Sequence, residues 1–236
     1  MLYQIRQLIT IPKAILLALI TNLPGEIGRR LRYRYWKKRL RYLGRDVLID
    51  VGVYFQRPEY ISIGDNTWLD RHVIILAGPS KANRAKKEIS NLSFQYEVGE
   101  VVIGSQVHIA PNVILSGIGG LSIGDACGIG ANSKLYSLSH HYDALDGTKD
   151  KMIYFSPMVP ADHQYLIEGS ISIANNVGLG ANCFILPGTA LAENSFVKLG
   201  SVVRGDFTPN SLIAGNPARR VGDRYPWKID DLSETE

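Results

Sequence analysis

The residues of this chain best suited to chemistry are five histidines: His72, His108, His140, His141 and His163. Imidazole titrates near pKa 6.5, so a positioned histidine can take a proton from an attacking hydroxyl at neutral pH. His140 and His141 stand together in LYSLSHHYD (Leu135–Asp143), and His72 closes IGDNTWLDRH (Ile63–His72) two residues after Asp70. A lone histidine is more often a satisfied structural group, and His108 is read that way. Cys127 and Cys183 are too few for a disulfide framework and read as small core residues. A nucleophilic cysteine is not expected.

The scaffold for these groups is written as a six-residue beat of aliphatic side chains, repeated fifteen times in three blocks. Ile63, Leu69 and Ile75 form the first block. Ile103, Ile109, Leu115, Ile123, Ile129 and Leu135 form the second. Ile173, Leu179, Ile185, Leu191, Val197 and Val203 form the third. Neither a helical period nor plain strand alternation explains a repeat of six. A solenoid does, with one short strand and one corner per hexad and three hexads per triangular coil. Corners such as IGDN at Ile63, IGAN at Ile129 and LGAN at Leu179 carry the Gly, Asn and Asp that accept unusual backbone angles.

Phasing the beat by threes puts Ile63, Ile103, Ile123, Ile173 and Leu191 on one face. Ile75, Leu115, Leu135 and Ile185 fall on the third. The interruptions then all leave one corner of the prism: GIGG (Gly117–Gly120) and two long loops at about 76–100 and 136–170. Long loops in a compact domain are usually functional, so a site or an interface is expected at that edge.

Composition divides the chain. Residues 1–45 carry eleven Lys and Arg against Glu26 alone, a net +10, so the rest of the chain is −6 within the total of +4. The apolar run Ala14–Leu23 is shorter than the ~20 residues that span a bilayer, and no small-x-small cleavage site follows it. With the basic, aromatic stretch RRLRYRYWKKRLRY after it, this segment fits an anchor on an anionic membrane surface or a cap on the first coil, and the two do not exclude each other. Basic and aromatic residues interleave without a nucleic-acid-binding motif, so nucleic acid is not an expected partner. The expected organisation is an appendage over 1–45, a solenoid over 46–221 and a tail over 222–236.

The hexads, the long loop and the ending LIAGNPARRV (Leu212–Val221) resemble the hexapeptide-repeat acyltransferase superfamily. Within it they are similar to the maltose, galactoside and polysaccharide O-acetyltransferases, over roughly Val47 to Val221. The resemblance implies a left-handed parallel β-helix, although parallel crossovers generally favour the right hand. It also implies a homotrimer with sites at the subunit boundaries, acetyl-CoA as donor and a sugar hydroxyl as acceptor. No metal is implied, because the Gly-His hexads of the related zinc-dependent carbonic anhydrases are missing.

Carried over residue by residue, the family's catalytic base falls on His140. Asp70, His72 and His141 fall in the acceptor region. Asp70 replaces the family's asparagine, and an ionised carboxylate cannot donate to an oxyanion. Its open roles are accepting bonds from sugar hydroxyls, orienting a histidine, or making a local turn bond. The coenzyme A positions correspond to Ala181, Leu199, Arg204, Arg219 and Arg220, with the Ala181 N–H a candidate oxyanion donor. Leu199 stands for a smaller residue, Arg204-Gly205 for Thr-Lys, and Gly178 for a common Trp. The basic appendage further suggests a peripheral location at the inner face of the membrane, and an acceptor such as a lipid-linked sugar or polysaccharide. Other acyl donors, an amino-sugar amine as acceptor, and a non-catalytic membrane scaffold stay as alternatives.

Overall fold

The computed structural model describes residues 15–80, 85–141 and 152–225. Three parallel sheets wrap one aliphatic core, and each coil gives one short strand to each sheet in turn. In sheet A, Ile63, Ile103, Ile123, Ile173 and Leu191 lie in register. Leu69, Ile109, Ile129, Leu179 and Val197 do so in sheet B. Sheet C aligns Ile75, Leu115, Leu135, Ile185 and Val203. None of these side chains is more than 3% exposed. Each such burial contributes about 1.5–3 kcal/mol, so the stacked ladders are a continuous core.

The coil starts one turn earlier than the hexads from Ile63 suggest. Leu43, Ile49 and Phe55 pair with Ile63, Leu69 and Ile75. They keep the spacing of six, but a 3-10 turn at Pro58–Tyr60 interrupts the rhythm before Ile63. At the other end Phe207 and Ile213 continue sheets A and B, and the chain closes with an antiparallel hairpin of Ser211–Gly215 and Ala218–Asp223.

The corners are as regular as the ladders. Three residues after the ladder residue, Asn66, Asn112, Asn132, Asn176, Asn182, Asn194 and Asn210 all adopt φ between +54° and +61°, a conformation asparagine tolerates better than most residues. His72 holds the same place at φ +59°. Along the corner after sheet A, the N–H groups of Arg45, Asp65, Ser105 and Asp125 donate to side-chain oxygens of the next coil: Asp65, Ser105, Asp125 and Asn175.

Both long loops leave sheet C at one edge, and they pair with each other. Ala85–Glu88 of the first runs parallel to Tyr165–Glu168 of the second, which is antiparallel to Leu138–His140. The Gly117–Gly120 insertion is fastened to the same edge. The Gly119 N–H donates to Ser137 Oγ, whose hydroxyl donates to the Ser116 carbonyl, both at 2.8 Å.

Residues 15–22 are helical (α1), and a second helix, α2, spans Gly25–Trp36. Arg32 of α2 is 1% exposed. It donates to the carbonyls of Ile49, Ile20 and Leu23 at 2.7, 3.1 and 2.7 Å, joining both helices to the first coil. Tyr33 and Trp36 pack on the core, with Trp36 edge-on to Phe55 at 4.7 Å. The connection between the helices passes close over Gly28, where a Cβ would fall 1.8 Å from the Leu23 carbonyl oxygen. Arg32, Tyr33 and Trp36 thus pack α2 against the first coil. Residues 1–14, the middle of the second loop (142–151, including Asp143) and 226–236 lie outside the described residues.

Candidate active site

His140 is the last residue of the loop strand Leu138–His140, opposite Leu166. Strand pairing on both sides of Tyr165–Glu168 fixes the backbone that carries it. Its Nε2 is buried and has no hydrogen-bond partner among the described residues. An orphaned buried nitrogen is costly unless something satisfies it. His141 is held through its backbone, its N–H donating to the Tyr165 carbonyl at 2.8 Å. His163 lies further along the loop against Tyr154, ring centres 5.7 Å apart, with Nε2 3.8 Å from Asp162.

Asp70 and His72 do not form one cluster. Asp70 Oδ1 accepts from the Arg71 N–H at 2.7 Å, a local turn bond. Its Oδ2 lies 3.7 Å from Nε2 of His108, a charge contact when that imidazole is protonated. His72 turns toward the preceding coil, so close that a Cβ on Gly52 would be 2.2 Å from its Nδ1. The histidine facing Asp70 is therefore His108, where only a structural role is expected from the sequence. Its ring stacks on Trp68 with centres 4.7 Å apart. A signal was present: Trp68 and His108 each precede a sheet-B ladder residue, so they must be neighbours on the outer face.

A second carboxylate fixes this shelf. Asp50 accepts from Nε and Nη2 of Arg29 at 2.7 and 3.0 Å and from the indole N–H of Trp68 at 2.8 Å. Desolvation pushes the Asp50 pKa up, but the bonds from Arg29 and Trp68 outweigh it and hold the carboxyl below its ordinary value.

The residues assigned to coenzyme A fall on the last coils. Ala181 follows the strand Gly178–Leu179, and the Leu199 backbone lies against Gly180 beside it. The Leu199 side chain is 75% exposed. Arg204 and Arg219 are exposed, and Arg220 is paired with Asp223. A groove of about 610 Å3 runs along sheet A beneath residues 93–96, lined by Ser122, Ser172 and Asp206. It contains none of the residues assigned to catalysis, acceptor or donor. No group of three or more His, Cys, Asp or Glu among the described residues could hold a metal ion.

No family model matches the chain. It is 25% identical over 183 residues to a dTDP-4-amino-4,6-dideoxy-D-glucose acyltransferase of Escherichia coli, covering 77% of this chain and 81% of that one. It is 27% identical over 163 residues to the galactoside O-acetyltransferase of Escherichia coli K12, covering 69% of this chain and 63% of that enzyme, just under two thirds of its length. Among solved structures, the N-acyltransferase AntD from Bacillus cereus, in complex with dTDP and 3-hydroxybutyryl-CoA, superposes with a TM-score of 0.66. The match covers 90% of this chain and 95% of AntD at 22% identity, a likeness of fold. In its hexad rhythm and three-faced coil the chain has the left-handed β-helix fold of the hexapeptide-repeat acyltransferases, and in sequence it is similar to these sugar acyltransferases.

Proposed function

We propose that the protein is an O-acetyltransferase that moves an acetyl group from acetyl-CoA to a hydroxyl of a sugar, in a cell-surface polysaccharide or a lipid-linked precursor. The observation that carries this reading is the Nε2 of His140, buried and without a hydrogen-bond partner among the described residues, at the end of a braced strand. A sugar hydroxyl would satisfy that nitrogen and give up its proton to it. In the same step the oxygen attacks the thioester carbonyl. The C–O bond forms, the C–S bond breaks, and the proton passes from His140 to the departing thiolate. Backbone N–H groups, that of Ala181 among them, hold the oxyanion, and one such donor is typically worth about 10²–10³ in rate. Arg204, Arg219 and Arg220 supply positive charge for the nucleotide end of the donor.

The working unit in this reading is a homotrimer with sites shared between neighbours. An amino-sugar amine is the second acceptor class, favoured by the E. coli amino-sugar acyltransferase among the relatives; the same base would serve it.

The membrane reading rests on exposed apolar side chains beside exposed basic ones in sequence. Ile15, Leu16 and Leu19 of α1, Leu23 just after it, and Ile27 and Leu31 of α2 are exposed, as are Arg30, Arg34, Lys38 and Arg39. No helix among the described residues is long and apolar enough to cross a membrane, so the helices would lie in the interface. Vesicles containing phosphatidylglycerol should sediment the protein, and Ile27→Asp should release it. Equal binding by the variant would contradict this. The enzymatic reading is tested by offering acetyl-CoA with sugar and amino-sugar acceptors and identifying the acetylated product by mass spectrometry; no product from any acceptor would contradict it.

A further inference from the structure

The outer face of sheet B carries a stack of side chains with one layer missing. Leu48, Trp68, His108, Gly128, Gly178, Phe196 and Leu212 lie in register, one per coil. Each precedes a ladder residue, so each points away from the core. The 4.7 Å between the Trp68 and His108 rings matches the spacing of neighbouring strands, about 4.8 Å. The column thus places one ring per rung.

The next two rungs are glycines, and they differ. A Cβ on Gly178 would lie 2.7 Å from Cδ2 of Phe196, so the Phe196 ring already covers that rung. A Cβ on Gly128 would meet nothing within 4 Å. From the His108 rung to the one Phe196 covers is two strand spacings, about 9–10 Å. That is room for one layer the thickness of a pyranose, with a ring wall on either side. The wall at His108 is built rather than incidental: the indole behind it is held by Asp50, itself clamped by Arg29. Asp70 sets a carboxylate at the edge of the imidazole.

We infer that the rung over Gly128 receives a pyranose ring of the acceptor, between His108 and Phe196, with Asp70 accepting from its hydroxyls. The inference rests on the transferase reading above and names the group that sees the acceptor. A sugar offers C–H groups to the ring walls and hydroxyls to the carboxylate, and this surface supplies both kinds of contact. His108 is then an acceptor-binding residue, distinct from the base.

Gly128→Phe tests this directly, because a Cβ at that rung meets nothing within 4 Å and the added ring would occupy the layer assigned to the sugar. Steady-state kinetics should show the acceptor KM raised at least about tenfold, with the acetyl-CoA KM unchanged; His108→Ala should act in the same direction. A raised acetyl-CoA KM would overturn the inference by assigning the rung to the donor, and an unchanged acceptor KM would overturn it outright. So would loss of kcat alone in His108→Ala, which would make that imidazole the base. A changed oligomeric mass of Gly128→Phe in light scattering would assign the rung to subunit packing. If no acceptor turns over, the transferase reading fails separately. Fluorescence titration with maltotriose and with UDP-glucose, comparing wild type, Trp68→Phe and Gly128→Phe, still decides the shelf. Saturable quenching by either probe, absent in Gly128→Phe, supports it, and no saturable response in the wild type overturns it.

Discussion

Lys86 and Glu168 tie the two long loops together: the ammonium group of the first donates to the carboxylate of the second across paired strands. The Glu168 side chain is 7% exposed and Lys86 37%. The strand that bears Glu168 also pairs with the one ending in His140, so this contact braces the proposed base from a distance.

Lys86→Met should therefore lower kcat by on the order of tenfold or more through misplacement of His140, and cost about 1–3 kcal/mol for the carboxylate left unpaired. Hydrogen exchange should rise in residues 138–140 and 165–168. The bond to Glu168 holds Lys86 above its ordinary pKa. The contribution is thus full below pH ~10.4, the unfolded value, and lost as pH rises through the higher folded one. Unchanged exchange at the loop sheet would contradict this account of the brace.

Arg32 joins the helix pair to the first coil through three carbonyls. Arg32→Met should destabilise by about 2–4 kcal/mol. Limited proteolysis should then cut near Leu23–Pro24 while the coils survive. Arg32→Lys should recover only part of the loss, since one ammonium group cannot match the guanidinium fork. A melting temperature unchanged in Arg32→Met would contradict this packing.

Asp50 makes the acid side of the stability profile testable. Its folded pKa lies below the ordinary value. Its contribution is therefore present above pH ~3.9 and lost as pH falls through the lower folded value. Asp50→Asn should remove about 1–2 kcal/mol at pH 7 and flatten that part of the profile in urea unfolding. An equally steep acid limb in the variant would place the titrating group elsewhere.

Both thiols should be silent in the native protein. Burial pushes Cys127 up to about 11 and raises Cys183 as well. The Cys127 thiol donates to the Ala174 carbonyl at 3.1 Å. A chromogenic disulfide at pH 8 should report no reactive thiol in the native protein and two in denaturant. Rapid native reaction would contradict the closed core.

Much of the scaffold was legible because a period of six has few physical solutions, and phasing by threes assigned the ladders and the common corner of both loops correctly. The first coil was hidden by the two extra residues at Pro58–Tyr60, which break the beat between Phe55 and Ile63. The pairing of the loops into one sheet carries no periodic signal, since Ala85–Glu88 and Tyr165–Glu168 meet only through tertiary contact. The contact between Asp70 and His108 was legible in principle. The two are 38 positions apart in the chain but one coil apart in the prism, as the phasing of Leu69 and Ile109 already implies. Asp70 and His72 are close in sequence, but a solenoid sets neighbours by coil, so Asp70 meets His108 while His72 lies against Gly52.

The most direct test of the central claim is acetyl transfer by wild type and His140→Ala, measured as thiol release from acetyl-CoA with a panel of sugar acceptors, alongside CoA binding by calorimetry. The account predicts turnover with at least one sugar class, a loss of on the order of 10²–10⁴-fold in kcat for His140→Ala, and unchanged CoA affinity. Full activity in the variant, or no CoA binding by the wild type, would contradict it.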